Sequence, residues 1–453
     1  MKINLYKLDL ISRLFIISLL VFLAIFTKAI FLDEVYSAEE STAQDQKQEI
    51  EFWTINLRPK FDQYFLDKFA EYEAKNKDVK IIWEDLSFYS ISQKLKFRIA
   101  EENAPQLVNL SPQLMTSFLI EDLLFPISNL EEDLQNNYYP NLWGSGNYNN
   151  QAYAFPWYFS SKVMAYNREI FSIAGLETDN PPQSYKQLFQ AAERIKKKTG
   201  VHAFMPQIKI HQEFLKAGIE LFAEVDGRLE PVFNTDEALE IIKGYQRLAE
   251  NDIVPSDSLS AGFNIALERY MENDLVILIT SPQFLKRIEA ESEYLKDMTA
   301  VSAIPSYDNN LIEASLMNLV IPKSADLKKE AADFAAFISS AEAQLEFARI
   351  SGVLPSADIE KAGLYDTEII KIEEYNNIDD SNSDNKLLPS KEAELILYEQ
   401  LAKSRDFTLI QKNSAQLIKV MEEQFARAFA GKISAEEALK FMEVGCRKIL
   451  EEE

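Results

Sequence analysis

Apolar residues recur along this chain with two distinct periods. Across 61–77, Phe61, Phe65, Phe69 and Tyr72 follow one another at spacings of three and four, with charged residues between them, which predicts an amphipathic helix. Before it, "EIEFWTI" reads as a strand; after it, "VKIIWEDL" at 79–86 reads as a second. "ISQKLKFRIAEENAP" predicts a helix ending near Pro105, and "QLVNL" at 106–110 a third, short strand. Strands and helices in strict alternation predict a mostly parallel sheet with helices on its faces.

The alternation continues. "SKVMAYN" predicts a strand with Val163 and Ala165 in the core and Tyr166-Asn167 opening the turn into the next helix. Beyond Pro181-Pro182, "SYKQLFQAAERIKKKTG" predicts a helix. Ser184 and Gln187 have capping-box spacing at its start, and Gly200 stops it. Helices are expected at 235–250 and 263–273, a buried strand at 274–280, and a helical stretch at 325–350 broken at a Ser339/Glu342 box. Residues 376–386 are a polar loop. From about 407 the pattern is nearly all helical, and the last helix is capped by Ser434 with Glu437 three residues on. No internal repeat is present.

The N-terminal pattern is different. Lys2, Lys7 and Arg13 precede "LFIISLLVFLAIF" at 14–26, an uncharged segment with the length of a signal-peptide core and short of a membrane span. Val35 and Ser37 are small enough for the positions that signal peptidase reads, so 1–38 is expected to be removed after Ser37 or Ala38. The alternative is an uncleaved anchor over 14–32. Residues 39–48 read as a polar tether. No cysteine lies near the apolar segment, so a lipid anchor is not expected. The protein is expected outside the cytoplasm, in the periplasm or at the cell surface.

The 453 residues suffice for two or three domains, and the formal net charge of −25 disfavours nucleic acid and anionic membrane as partners. Cys446 is the single cysteine and His202 and His211 are the two histidines, which leaves no disulfide framework and no Cys- or His-rich metal site. No Gly-rich phosphate loop, GxSxG elbow or HExxH motif occurs, and Gly144-Ser145-Gly146 reads as a loop. Neither histidine has the setting of a catalytic base. Asp and Glu number 72, so a carboxylate pair for glycoside hydrolysis carries no signal.

The remaining candidate chemistry is aromatic. Trp53, Trp83, Trp143 and Trp157 all lie in the first 160 residues. Trp83 has apolar neighbours and reads as packing. Trp53 and Trp157 end strands beside polar residues, and ligands of open α/β sheets bind at the carboxyl ends of strands. Sugars present C–H faces to such rings and hydroxyls to amides, hydroxyls and carboxylates. On the residues alone, Trp157 in "PWYFSSKVMAYN" stands open between core and cleft.

Six blocks in order resemble one family. "NAPQLVNLSP", "DLLFPISNLEED", "YAFPWYFSSKVMAYNREIFSIAGL", "ERYMENDLVILITSPQFLKRI", "NLVIPKSADLKKEAADFAAFISSAEAQLEFARISGVLPS" and "FAGKISAEEALKFMEVG" are similar to segments of the extracellular solute-binding proteins of ABC importers, in the carbohydrate-binding group. Gln106 stands where that group has Asp, and Asn273-Asp274 where it has Gly-Lys. The resemblance covers roughly 50–450. It implies an α/β fold of two lobes, with mixed, mostly parallel sheets, helices on both faces and a ligand cleft between the lobes. Lobe one would comprise 49–158 and 306–338; lobe two would comprise 160–304 and 343–453 with the C-terminal helices.

Carried onto this chain, the resemblance puts the first crossing near Phe159 and makes Trp157 a cleft aromatic, with Tyr158 divided between ligand and core. Trp53, Arg58, Ser111 and Gln113 would serve from lobe one, and His211 and Gln212 from lobe two. Ser160 holds a position that is often acidic, and Gln283 one that is often Trp; both argue against a maltodextrin-like ligand. The implied role is that of a monomeric receptor handing a sugar or oligosaccharide to the permease's transmembrane subunits, without cofactor, metal or catalysis. The alternatives are a secreted glycosidase and a membrane-anchored ligand sensor of the same fold.

Overall fold

The computed structural model describes residues 47–130, 133–366 and 387–452. The expected leader, tether residues 39–46 and the loop at 376–386 lie outside the described residues. Along the chain, the elements that frame the site are β1 (Gln48–Ile55), α1 (Asp62–Lys75), β2 (Val79–Leu86), α2 (Ile91–Ala100), β3 (Leu107–Leu110), α3 (Pro112–Ile120), β4 (Ala154–Ser160) and β5 (Val163–Asn167). Then come α4 (Tyr185–Thr199), α5 (Ile210–Lys216), α6 (Asp236–Glu250), α7 (Phe263–Met271), β6 (Ile277–Thr280), α8 (Pro282–Glu291) and β7 (Thr299–Ser302). The last are β8 (Ser315–Val320), α9 (Lys328–Ile338), α10 (Ala341–Ser351), β9 (Leu354–Pro355), α11 (Pro389–Tyr398), α12 (Ser414–Phe429) and α13 (Ala435–Glu451).

Two sheets organise two lobes. The first runs β9-β4-β8-β3-β1-β2 and the second β6-β5-β7. Phe52, Trp53 and Thr54 of β1 are fully buried, as expected of a central strand covered on both faces. One face of the first sheet packs Phe52 against Phe65, Phe69 and Phe334. The other packs Trp53 against Ile91, Leu95 and Phe118. The second lobe buries Phe171, Leu188 and Ile242 against Leu417, Met421 and Met442 of the C-terminal helices.

Pairing is less parallel than the alternation suggests. Within these two sheets the parallel ladders are β1–β2 and β1–β3; β8 runs antiparallel to both β3 and β4, and the second sheet is antiparallel throughout, while a short parallel ladder outside them joins Ile312–Glu313 to Ser404–Arg405. The reason is topological: β4 carries the chain out toward the second lobe, and β8 brings it back alongside. Residues 161–162 and 303–314 cross between the sheets, and the Ser161 hydroxyl donates to the Glu313 carbonyl at 2.9 Å to tie these crossings together. Residues 343–355, expected in lobe two, sit with the first sheet: Phe347 packs on Trp157, and β9 pairs with β4.

The local signals decide most termini. Ser184 and Gln187 form the capping box of α4, Gly200 ends it in the left-handed region (φ 74°), and Ser434 and Glu437 box the start of α13. The break in 325–350 is real, but its cap is Ser340, whose side chain accepts from the Ala343 N–H. The Ser339 hydroxyl instead donates to the Ala335 carbonyl at 2.6 Å and meets the Tyr138 hydroxyl at 2.7 Å.

Candidate functional site

The carboxyl ends of the parallel strands in the first lobe leave the sheet on one edge. Ile55 pairs with Leu86, so Arg58 and Tyr89 emerge at the same level, and Ser111 follows β3. The Ser111 hydroxyl accepts from the Leu114 N–H, with Pro112 at the first helical position. This cap starts α3 and turns Gln113 outward. In the second lobe, Gln207–Lys209 lead into α5, which carries His211 and Gln212.

These elements face one another across a cleft of about 1000 Å³. Gln113, Thr116 and Ser117 line it from α3; Gln207, Lys209, His211 and Gln212 from the second lobe; Ser258–Gly262 from the loop before α7; and Thr408, Leu409, Gln411 and Glu422 from the C-terminal segment. Apart from the His211 imidazole, no aromatic ring is among these residues. The wall combines carboxamides and hydroxyls, which bind polar groups by hydrogen bonds, with the charged Glu121, Lys209, Lys412 and Glu422 and the aliphatic Ile120, Ile208, Leu409 and Ile418. His211 is almost fully buried, and its Nδ1 lies 2.8 Å from Glu422 Oε1.

Next to the cleft, and sharing Gln207 and Ile208 with it, lies a smaller cavity of about 100 Å³. Its polar edge is a buried network. Lys216 Nζ donates to Glu213 Oε1 and to the Tyr185 hydroxyl at 3.2 Å, while the Tyr245 and Tyr307 hydroxyls donate to Glu213 Oε2 at 3.2 and 3.0 Å. Burial alone would push the Lys216 pKa down, but the Glu213 carboxylate, the Tyr185 hydroxyl and the Glu313 carboxylate together outweigh it and hold the ammonium above its usual value. Burial and Glu213 together push both phenols well up. Glu313, on the crossing segment, is held below the usual carboxylate range. Burial there is overcome by Lys216, Lys162, Lys209 and His211.

Of the ten residues singled out in the sequence, the cleft gathers three: Gln113, His211 and Gln212. Two are core instead. The Trp157 ring is 1% exposed, stacks on Phe347 at 6.1 Å, meets Phe52 and Phe65 edge-on at 5.8 Å and donates its N–H to the Ile338 carbonyl at 3.2 Å. A bulge explains this: Met317 pairs with Tyr158 and Asn318 with Pro156, so Trp157 is the extra residue of β4, next to a proline with no N–H to give the ladder. Trp53 is fully buried, and its N–H donates to Glu51 Oε1 at 2.8 Å.

Tyr158 is buried against Trp157 and Phe347. Ser160 is exposed at the end of β4, paired with Ser315. Arg58 is exposed, ion-paired to Asp62 at 3.0 Å and lying over the Trp83 ring at 4.8 Å. Gln283 is exposed on α8, in a separate groove of about 800 Å³ with Lys60, Arg349 and Lys391.

The pattern reading missed the 408–415 segment and Lys209. The chain has no regular structure over 406–411 rather than being helical from 407, and α12 begins only at Ser414 after a turn at Lys412-Asn413, where Asn413 adopts φ 56°. The polar run Gln411-Lys412-Asn413-Ser414 was the available signal.

Comparison with known proteins agrees with this architecture. A family model described as "Bacterial extracellular solute-binding protein" matches residues 68–362. The chain is 25% identical over 138 residues to the diacetylchitobiose binding protein DasA of Streptomyces coelicolor, a match spanning 30% of this chain and about a third (32%) of the relative. Two solved structures share the fold. The cyclic alpha-maltosyl-1,6-maltose binding protein of Arthrobacter globiformis has a TM-score of 0.72 at 16% identity, covering 90% of this chain and 100% of that one. The sugar-binding protein MalE of Xanthomonas citri has a TM-score of 0.68 at 17% identity, covering 89% and 98%.

Proposed function

The chain belongs to the bacterial extracellular solute-binding protein family, and we propose that it is the receptor component of an ABC importer that takes a sugar or oligosaccharide between its lobes and presents it to the permease's transmembrane subunits. The observation that carries this reading is the cleft itself: carboxamides and hydroxyls from both lobes converge on one space large enough for an oligosaccharide. Gln113 on the first lobe and Lys209, His211 and Gln212 on the second are the proposed contacts, with Gln411 from the C-terminal segment. A ligand touching both walls favours the closed arrangement, which is the signal a permease reads. Similar proteins are named for binding diacetylchitobiose, cyclic alpha-maltosyl-1,6-maltose or sugar, which supports the same ligand class. The protein works outside the cytoplasm, and among the described residues no helix is long and apolar enough to cross a membrane.

Thermal unfolding against a panel of mono-, di- and oligosaccharides, polyols and glycerol phosphates tests the reading. A ligand at a hundred times its Kd adds about 2.7 kcal/mol of stability. A shift with one sugar group supports the receptor role and identifies the class. No shift with any carbohydrate, or release of reducing sugar during the assay, defeats it.

A further inference from the structure

We propose that the first lobe carries a second saccharide-binding site, outside the interlobe cleft, built on Trp143. The four tryptophans are not equivalent. Trp53 and Trp157 are buried in the core, and Trp83 is half-buried beneath Arg58. Each of these three indole N–H groups has a partner: Glu51 Oε1 at 2.8 Å for Trp53, the Ile338 carbonyl at 3.2 Å for Trp157 and Thr54 Oγ1 at 2.8 Å for Trp83. Trp143 is half-buried, stacks on Tyr138 at 5.4 Å with the planes 29° apart, and its N–H has no acceptor among the described residues.

The ring borders a depression of about 450 Å³ that shares no lining residue with the cleft. Ile127 and Leu134 supply apolar wall; Gln135, Asn147, Asn150 and Gln151 supply carboxamides. The side chains of Gln135, Asn147 and Asn150 make no hydrogen bond among the described residues, while Gln151 Oε1 accepts from the Tyr153 hydroxyl at 3.0 Å. Asn147, Asn150 and Gln151 are held by a small hairpin, and Gln135 by the short turn Leu134–Asn137. Asn147 pairs with Ala152 and Tyr148 with Gln151, and the turn between them places Asn149 and Asn150 in the left-handed region at φ 48° and 61°.

Charge selects the ligand class. On a chain whose net charge is −25, none of the described residues lining this depression is ionisable. Among them an anion finds no cation, and a cation no carboxylate. An aromatic ring beside unpaired neutral donors and acceptors matches a neutral pyranose, whose C–H face packs on the indole while its hydroxyls exchange hydrogen bonds with the amides. Because the site is separate from the cleft, it can hold one end of a glycan while the cleft is empty or occupied.

Fluorine NMR of the protein labelled with fluorotryptophan tests this directly, with the Trp143 resonance assigned from Trp143→Phe. The probes are maltoheptaose, cellohexaose and chitotetraose. With at least one of them the Trp143 resonance should shift saturably. The Gln135→Ala/Asn150→Gly double variant, in which glycine suits the left-handed turn position and the ring and its Tyr138 stack are untouched, should weaken that binding about fivefold or more. The shift should survive in His211→Ala/Gln212→Ala, which strips the cleft. An unmoved Trp143 resonance with all three probes overturns the proposal. So does a shift unaffected by the amide double variant, or one that vanishes with the cleft variant, which would mean that Trp143 reports cleft occupancy.

Discussion

His211 Nδ1 stands 2.8 Å from Glu422 Oε1, which joins α5 to α12 at the wall of the interlobe cleft. The contact fixes the imidazole plane and leaves Nε2 available for a ligand hydroxyl. His211→Ala should weaken ligand binding by about 1–2 kcal/mol, roughly five- to thirtyfold. Glu422→Gln should cost less, because an amide oxygen can still accept from Nδ1–H. Titration calorimetry with the sugar identified by thermal shift measures both. Unchanged affinity in His211→Ala would remove α5 from the site.

Trp157 makes the opposite prediction. Its ring fills the space between Phe52, Phe65 and Phe347, so Trp157→Ala should lose about 3–5 kcal/mol in urea unfolding. Trp157→Phe keeps an aromatic ring but loses the N–H donated to Ile338, and should lose about 1–2 kcal/mol. Affinity of the folded fraction should stay within about twofold in both. A variant that keeps its stability and loses its ligand would return the indole to the cleft.

The contrast shows what a linear pattern can carry. Ser184 with Gln187 and Ser434 with Glu437 were legible because a capping box is closed within four residues. Choosing Ser340 over Ser339 depends on Tyr138, some two hundred residues earlier, which claims the Ser339 hydroxyl. The position of Trp157 depends on a bulge against β8, a strand that returns from the other lobe. The irregular 406–413 segment looked helical because Phe407, Leu409 and Ile410 are apolar. Yet Leu409 packs on the second-lobe core and Ile410 on the first. Neighbouring apolar residues that serve two lobes have no helical face, and sequence cannot distinguish that from a short amphipathic turn. The two-lobe fold and half of the cleft's second-lobe wall were readable; the C-terminal wall was not.

The buried Lys216–Glu213 pair sits where α5 meets the 303–314 crossing. Lys216→Met leaves Glu213, 5% exposed, with only hydroxyl donors, and should cost about 3–5 kcal/mol. The double variant Lys216→Met/Glu213→Leu removes both charges and should cost far less, a non-additivity read from a double-mutant cycle in urea. Because the folded Lys216 pKa is raised, its contribution is complete below the unfolded lysine value and is lost only in strong alkali. The Lys216→Met deficit should therefore be the same at pH 6 and pH 8. Additive costs would show that the two groups do not depend on each other.

Asp406 begins the segment that bridges the lobes, and there the sign is reversed. Burial raises its carboxyl pKa and the nearby Glu313 carboxylate adds to the effect, while hydrogen bonds from Thr408, whose backbone N–H donates at 2.8 Å, and from the Leu316 backbone offset part of it. An acid with a folded pKa above its unfolded value opposes folding when ionised. That opposition is complete above the folded pKa and disappears as pH falls below the unfolded value of about 3.9. Asp406→Asn keeps an oxygen to accept from Thr408 and cannot ionise. It should be more stable than the parent at pH 7, and the advantage should shrink steadily as pH falls toward 4. Urea midpoints at pH 7, 5.5 and 4 measure it. An advantage of equal size at all three would place its origin in packing rather than in the charge, and an advantage that grew toward acid would mean the carboxylate is stabilised in the folded state.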